Sequence, residues 1–120
     1  MSTPQLITPC LWFDFKAEEA VAHYLSIFED STIETISHYG QGPHVGEVMT
    51  ILFSLRGQRF LALNGGPHYQ FTPAVSLMVN CRSSEEAEEY TRRLTEGGSM
   101  SHGWLKDRYG LSWQVIFRAS

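Results

Sequence analysis

The sequence predicts an α+β fold built from two βαβββ-type modules. Each module is a curled sheet with a helix on its outside, and the inner faces of the two sheets form a cup. Three observations predict it. Strand-length apolar runs and two amphipathic helical patterns come in the order strand, helix, three strands, then strand, helix and at least two strands. The halves repeat weakly: strand, cap and helix begin at Leu6, Asp14 and Ala17, and again at Ala74, Ser83 and Glu85. Both helices carry Glu-Glu-Ala, at 18–20 and 85–87, with Tyr24 and Tyr90 close behind. No linker divides the 120 residues, so the chain reads as one domain, with module one about 6–64 and module two about 74–118. A single ferredoxin-like sheet is the alternative, but it has too few strands to use all seven apolar runs.

Residues 6–13 (LITPCLWF) form a β-rich run, the first strand. Asp14 is placed to cap a helix, and Glu18 and Glu19 suit its first turn through the helix dipole. Ala17, Ala20, Val21, Tyr24, Leu25 and Phe28 recur at three- and four-residue spacing and make its apolar face. Residues 32–39 are β-branched and partly alternating, a second strand. After the Gly-rich loop 40–46 come a third strand at 48–55, a short turn at 56–58 and a fourth strand at 59–63. Asn64-Gly-Gly-Pro67 breaks that strand. The fifth strand is 74–79.

Ser83 and Glu86 match a capping box, and Ala87, Tyr90 and Leu94 mark the inner face of the second helix. Glu88 with Arg92, and Glu89 with Arg93, are pairs four residues apart, so the acidic cluster at 85–89 reads as a solvated helix face. Gly97-Gly98 stops the helix. A sixth strand covers about 100–106, residues 107–110 turn, and 111–117 is the last strand.

Hydrophobic residues are 42% of the chain and charged residues 18%, a globular composition. The net charge of -4 speaks against a nucleic-acid surface. No apolar run approaches the roughly 20 residues of a membrane helix. The first five residues carry no positive charge ahead of an apolar stretch, so no secretion signal is expected. Cys10 and Cys81 cannot make a disulfide framework and read as reduced thiols of a cytoplasmic protein, with Cys10 a small core residue. No cationic neighbour or helix start beside Cys10 would activate it.

The stretches Ile7-Thr-Pro-Cys-Leu-Trp-Phe13, Ala17-Glu-Glu-Ala20 with Tyr24 and Phe28, and Asp30-Ser31 fit a known family. So do Gln58-Arg-Phe-Leu-Ala-Leu-Asn-Gly-Gly-Pro67 and Gly103-Trp-Leu-Lys-Asp-Arg-Tyr-Gly-Leu-Ser-Trp-Gln114. Together, over about 6–116, they resemble the PhnB-like proteins labelled 3-demethylubiquinone-9 3-methyltransferase. That family sits in the vicinal oxygen chelate superfamily with glyoxalase I, bleomycin-resistance proteins and extradiol dioxygenases. The resemblance implies the glyoxalase/bleomycin resistance-like fold of paired βαβββ modules, and usually a homodimer.

The resemblance also implies one divalent metal at the bottom of the cup, held by His and Glu. Carried over position by position, its ligand sites fall at about Thr8, Ala62 or Asn64, Ala74 and Gln114, none of them His or a carboxylate. The flanking residues Ile7, Pro9, Leu63, Val75, Trp113 and Val115 do not repair this. Neither a metal nor another cofactor is therefore expected. The methyltransferase label needs its own test. A Rossmann-type S-adenosylmethionine enzyme needs a Gly-rich loop after its first strand, and here Asp14-Phe-Lys16 follows instead.

If Thr8 faces the cup, so do Cys10 and Trp12, while Leu11 and Phe13 pack on the helix. By the same alternation Ser76 and Met78, and Ser112 and Gln114, face in, with Asn64 adding its amide. The expected ligand-binding set is thus Cys10, Trp12, Asn64, Ser76, Met78, Ser112 and Gln114, an aromatic, mildly polar, uncharged lining suited to a small, partly apolar molecule. Trp104 and Trp113 read as core or dimer residues. His23, His38 and His44 read as surface residues. His68, Asp107 and His102 are the candidates for catalysis at the rim. Three functions remain open: metal-independent binding of a small molecule, a lyase, isomerase or transferase using those rim residues, and a silent structural or regulatory dimer.

Overall fold

The computed structural model describes residues 5–101 and 104–117, which form two compact units divided between Tyr69 and Gln70. The first contains β1 (Cys10–Phe13), α1 (Ala17–Ile27), β2 (Ser31–His38), β3 (Val48–Leu55) and β4 (Gln58–Asn64). Its sheet has the order β1-β4-β3-β2, with β1 parallel to β4 and the other pairs antiparallel. This is the expected βαβββ module. The first strand is shorter than expected, because Leu6 and Ile7 are 92% and 85% exposed and lie outside the ladder. The side chain of Gln5 imitates a strand there, accepting from the Arg59 N–H and donating to the Arg59 carbonyl, both at 3.0 Å.

Period-two alternation divides this sheet into two faces. Leu11 and Phe13 of β1, Ile51, Phe53 and Leu55 of β3, and Phe60 and Ala62 of β4 are buried. Against them α1 turns Ala17, Ala20, Val21, Tyr24 and Ile27, all buried. Each of the larger side chains contributes about 1.5–3 kcal/mol when withdrawn from water. Arg56 and Gly57 join β3 to β4, both with positive φ (51° and 88°), the mirror-image turn that matches strand twist.

The start of α1 differs from expectation. Asp14 does not cap it; Lys16 holds the cap position and makes no capping bond with its side chain. The first helical N–H, that of Ala17, is instead taken by Asn64 Oδ1 at 2.9 Å. Asn64 Nδ2 donates to Glu18 Oε1 at 2.7 Å and to the Val48 carbonyl at 3.0 Å. Its own carbonyl accepts from the Tyr39 hydroxyl. A residue only 2% exposed thus ties the end of β4 to α1, to the start of β3 and to the loop after β2.

The second unit contains β5 (Ser76–Cys81), α2 (Ser84–Thr95), β6 (Ser99–Ser101), β7 (Trp104–Lys106) and β8 (Ser112–Phe117), in the sheet order β5-β8-β7-β6. The fifth strand starts two residues later than expected, because 73–75 turn before the ladder with β8 begins. The expected single sixth strand is two, β6 and β7, paired antiparallel with Ser101 opposite Trp104. Among the described residues eight strands therefore replace seven runs. Gly98 fits under that hairpin, since a Cβ there would lie 1.9 Å from the Lys106 carbonyl oxygen. Ser83 caps α2, its hydroxyl accepting from the Glu86 N–H at 3.1 Å, while Glu86 accepts from the Arg82 N–H. Arg92 pairs with Glu89 three residues back rather than with Glu88. Tyr90 and Leu94 of α2 are buried with Val79, Leu105 and Trp113, so Trp113 is a core residue.

Replacing Asn64 by Ala leaves the Ala17 N–H and the Val48 carbonyl without their side-chain partner inside the fold. A cap is worth about 0.5–2 kcal/mol and a stranded buried polar group about 1–3 kcal/mol. Asn64→Ala is expected to lower the unfolding free energy by about 2–4 kcal/mol in urea titration; a loss under about 0.5 kcal/mol would contradict this role.

Candidate functional site

Each sheet has a second face that its own helix does not cover. In the first sheet the strand register aligns this open face in transverse rows, two of them without charge. Trp12 lies opposite Leu63, Leu63 opposite Thr50, and Thr50 opposite Ser37. Beside them Cys10 lies opposite Leu61, Leu61 opposite Leu52, and Leu52 opposite Thr35. Trp12, Leu61, Leu63, Leu52 and Thr50 are half-buried. Within these two rows the face is apolar on β4 and at Trp12 and Leu52, and turns to hydroxyls at Thr50 of β3 and at Ser37 and Thr35 of β2.

Trp12 is fixed in place. Its indole N–H donates to the Gly66 carbonyl at 2.8 Å, and Tyr69 meets its ring edge-to-face at 4.9 Å between centroids and 82°. Gly65 makes room for it, because a Cβ at that position would fall 2.4 Å from the indole ring. The Asn64-Gly-Gly-Pro67 break therefore seats an aromatic side chain as well as ending a strand. Ser37 Oγ and Thr50 Oγ1 share a short hydrogen bond of 2.5 Å. A third row across the face, Arg59 opposite Ser54 opposite Thr32, carries charge, but Arg59 is paired with Glu34 at 2.8 Å. The Glu34 carboxylate holds the Arg59 guanidinium still further above its usual range through that hydrogen bond and its charge.

In the second sheet the open face carries Ser76, Met78, Ser112 and Gln114. Gln114 Nε2 donates to Ser76 Oγ at 2.9 Å. Met78 is 54% exposed, whereas Ser112 is buried.

The expected site residues divide on these facts. Cys10 and Trp12 stand together on one open face, and Ser76, Met78 and Gln114 on the other. Asn64 does not join them: it points to the helix side, because Phe60 and Ala62 share its phase on β4 and are packed under α1. Leu61 and Leu63 hold the open positions instead, which the sequence reading missed. Cys10 is exposed rather than a core residue, and partial burial pushes its thiol pKa up. Asp107, expected at a rim, is instead buried. It is 2% exposed, and its carboxylate accepts from the Tyr109 and Leu111 N–H groups and from the Trp113 indole at 2.8–3.1 Å. That geometry makes it the keystone of the β7–β8 turn. His68 is exposed in the loop after β4. His102 lies outside the described residues. Trp104 is 39% exposed and belongs to no core. The His44 side chain, expected at the surface, is 45% exposed, bonded to Glu47 at 2.7 Å, with its ring tilted 34° to that of Phe15 at 4.4 Å between centroids.

The metal implied by the resemblance does not fit these side chains. Thr8 is exposed ahead of β1, Ala62 and Asn64 face α1, and Ala74 is exposed in the turn before β5. Gln114 offers an amide already bonded to Ser76. None of these supplies the imidazole or carboxylate such a site uses. Among the described residues no three His, Cys, Asp or Glu side chains gather.

A family model described as 3-demethylubiquinone-9 3-methyltransferase matches residues 5–116. The PhnB protein from Bacillus cereus is 38% identical, with a TM-score of 0.85 over 95% of this chain and 100% of that one. Protein PA1353 from Pseudomonas aeruginosa shares the fold at 22% identity and a TM-score of 0.77, covering 96% of this chain and 98% of that one. So does the fosfomycin resistance protein FosX from Listeria monocytogenes, at 17% identity and a TM-score of 0.65, over 98% and 94% of the two chains. Curated proteins yield no match. No helix among the described residues is long and apolar enough to cross a membrane.

A thiol whose pKa is raised stays protonated at neutral pH and reacts slowly. Iodoacetamide alkylation of Cys10, followed by peptide mass mapping, is expected to rise with pH to a midpoint above the roughly 8.5 of a free cysteine. A midpoint at or below that value would contradict the burial of its sulfur.

Proposed function

The chain belongs to the family described as 3-demethylubiquinone-9 3-methyltransferase, the PhnB-like proteins of glyoxalase/bleomycin resistance-like fold, and from that premise we propose that it binds a small, partly apolar molecule without a metal ion. The observation that carries this reading is the open face of the first sheet. Trp12, Leu61, Leu63 and Leu52 present half-buried apolar surface there that α1 does not cover. Contiguous apolar surface of this kind, edged by a few hydrogen-bonding groups, is what small-molecule sites are made of.

The candidates for chemistry are weak by comparison. The Asp107 carboxylate is consumed by the turn it holds. The Cys10 thiol is pushed toward its protonated form. The carried-over metal positions offer Thr, Ala, Asn and Gln. The loop after β1, Asp14-Phe15-Lys16, has no glycine to admit a nucleotide-type methyl donor. The family's descriptive name is therefore not taken as this chain's activity. The same reading makes the protein a cytoplasmic homodimer; neither Cys10 nor Cys81 is in a disulfide, in keeping with a reducing compartment.

A library of uncharged fragments, screened by two-dimensional NMR on the uniformly 15N-labelled full chain, tests the proposal. Hits are expected to shift the amides of Cys10, Trp12, Leu61, Leu63 and Thr50, and to do so equally with EDTA present. Shifts that appear only after a divalent metal is added, or no saturable shift on either open face, would contradict it.

A further inference from the structure

We propose that the open face of the first sheet takes a neutral, ring-bearing molecule whose ring sits in the Trp12–Tyr69 corner and whose hydroxyl or carbonyl group reaches the Ser37–Thr50 pair. This names the ligand class for the binding reading above and rests on it.

Three observations converge on this class. The first is the corner itself. Two aromatic rings at 82° leave a right-angled recess in which a third ring stacks on one and meets the other edge-on. Trp12 cannot swing away, because its N–H is held by Gly66 and its ring lies against the Gly65 backbone. Tyr69 is 67% exposed, so it presents its surface without a competing protein contact burying it.

The second observation is the direction of the row. Trp12, Leu63, Thr50 and Ser37 follow one another across β1, β4, β3 and β2. Strands are spaced about 4.8 Å apart, so the hydroxyls of β3 lie about 10 Å from the β1 side chain. Leu63 fills the interval with an apolar floor. Ser37 and Thr50 bond to each other, and one hydrogen bond between two hydroxyls leaves one O–H free to donate. The row thus matches a molecule with a ring at one end, an apolar middle and an oxygen at the other.

The third observation is charge. None of the eight side chains in the two rows ionises near neutral pH, Cys10 included, given its raised pKa. The charged row alongside is closed by the Arg59–Glu34 pair. An anionic ligand would lose its hydration and find its cation already partnered, which selects a neutral one.

Three matched probes test this on the full chain by NMR titration: 4-phenyl-1-butanol, 4-cyclohexyl-1-butanol and 4-phenylbutyrate. The readout is the Trp12 indole N–H, assigned with Trp12→Phe. The phenyl alcohol is expected to bind saturably. The cyclohexyl alcohol should be about three- to tenfold weaker, the worth of one aromatic contact, and the carboxylate at least tenfold weaker. Tyr69→Leu, at an exposed position, should remove most of the phenyl preference, and Thr50→Val should weaken the phenyl alcohol about two- to tenfold. Equal affinity for the phenyl and cyclohexyl alcohols overturns the ring; equal affinity for the carboxylate overturns neutrality. Either result leaves the binding reading standing, because a probe still occupies the face. If none of the three binds, the ligand class is overturned, and the uncharged-fragment screen decides separately whether the face binds anything.

Discussion

The first unit depends on one residue, Asn64, satisfying polar groups from three segments at once. A helix that starts against a sheet presents N–H groups with no partner inside the helix, and burying them unpaired is costly. Asn64 resolves this for α1 by accepting from Ala17 while donating to Glu18 and to Val48. The residue stands where β4 ends, so the same bonds set how far β4 runs and where α1 begins. They also anchor the start of β3, and the Asn64 carbonyl takes the Tyr39 hydroxyl from the loop after β2. The phase of β4 is then fixed. With Asn64, Ala62 and Phe60 turned to the helix, Leu61 and Leu63 must look the other way.

The open face follows from that choice of phase. A slip of one residue on β4 would move the leucines under α1 and bring Asn64 and Phe60 to the outside. In the native phase Trp12, Leu63, Thr50 and Ser37 line up across four strands. Gly65, next after Asn64, gives the indole its room. Framework and candidate site therefore meet in adjacent residues, one a clamp and one a clearance. The second unit solves its own problem with a carboxylate: Asp107 gathers two backbone N–H groups and the Trp113 indole, and so fixes the turn that brings β8 beside β7. In both units a polar residue that reads in sequence as chemistry serves as architecture.

Much of the fold was legible. Element order, both helices and their buried faces, the Ser83 cap and the turn of Cys10 and Trp12 to the sheet face away from α1 all rest on local periodicity, which a single sequence carries. The failures were non-local or turned on details of geometry. The cap of α1 comes from a residue 47 positions away, so Asp14, the nearest suitable side chain, drew the assignment wrongly. Asn64 and Asp107 read as site residues because polar side chains beside a strand break suggest function, and only the folded chain shows them buried and bonded within it. The hairpin inside 99–106 was hidden because its two strands have three residues each, too few for alternation to show. The transverse rows of the open face were beyond reach too, since they need the register between strands, which composition along one strand does not contain.

The open face of the first sheet is proposed to bind an organic molecule with no metal ion. Native mass spectrometry of the protein, purified without chelator or affinity metal, tests it most directly, since it weighs subunits, metal and retained small molecules together. The expected result is a dimer that is bare or carries an uncharged organic adduct, with no stoichiometric divalent ion. A dimer holding one divalent ion per subunit, lost together with ligand binding on dialysis against EDTA, would contradict it.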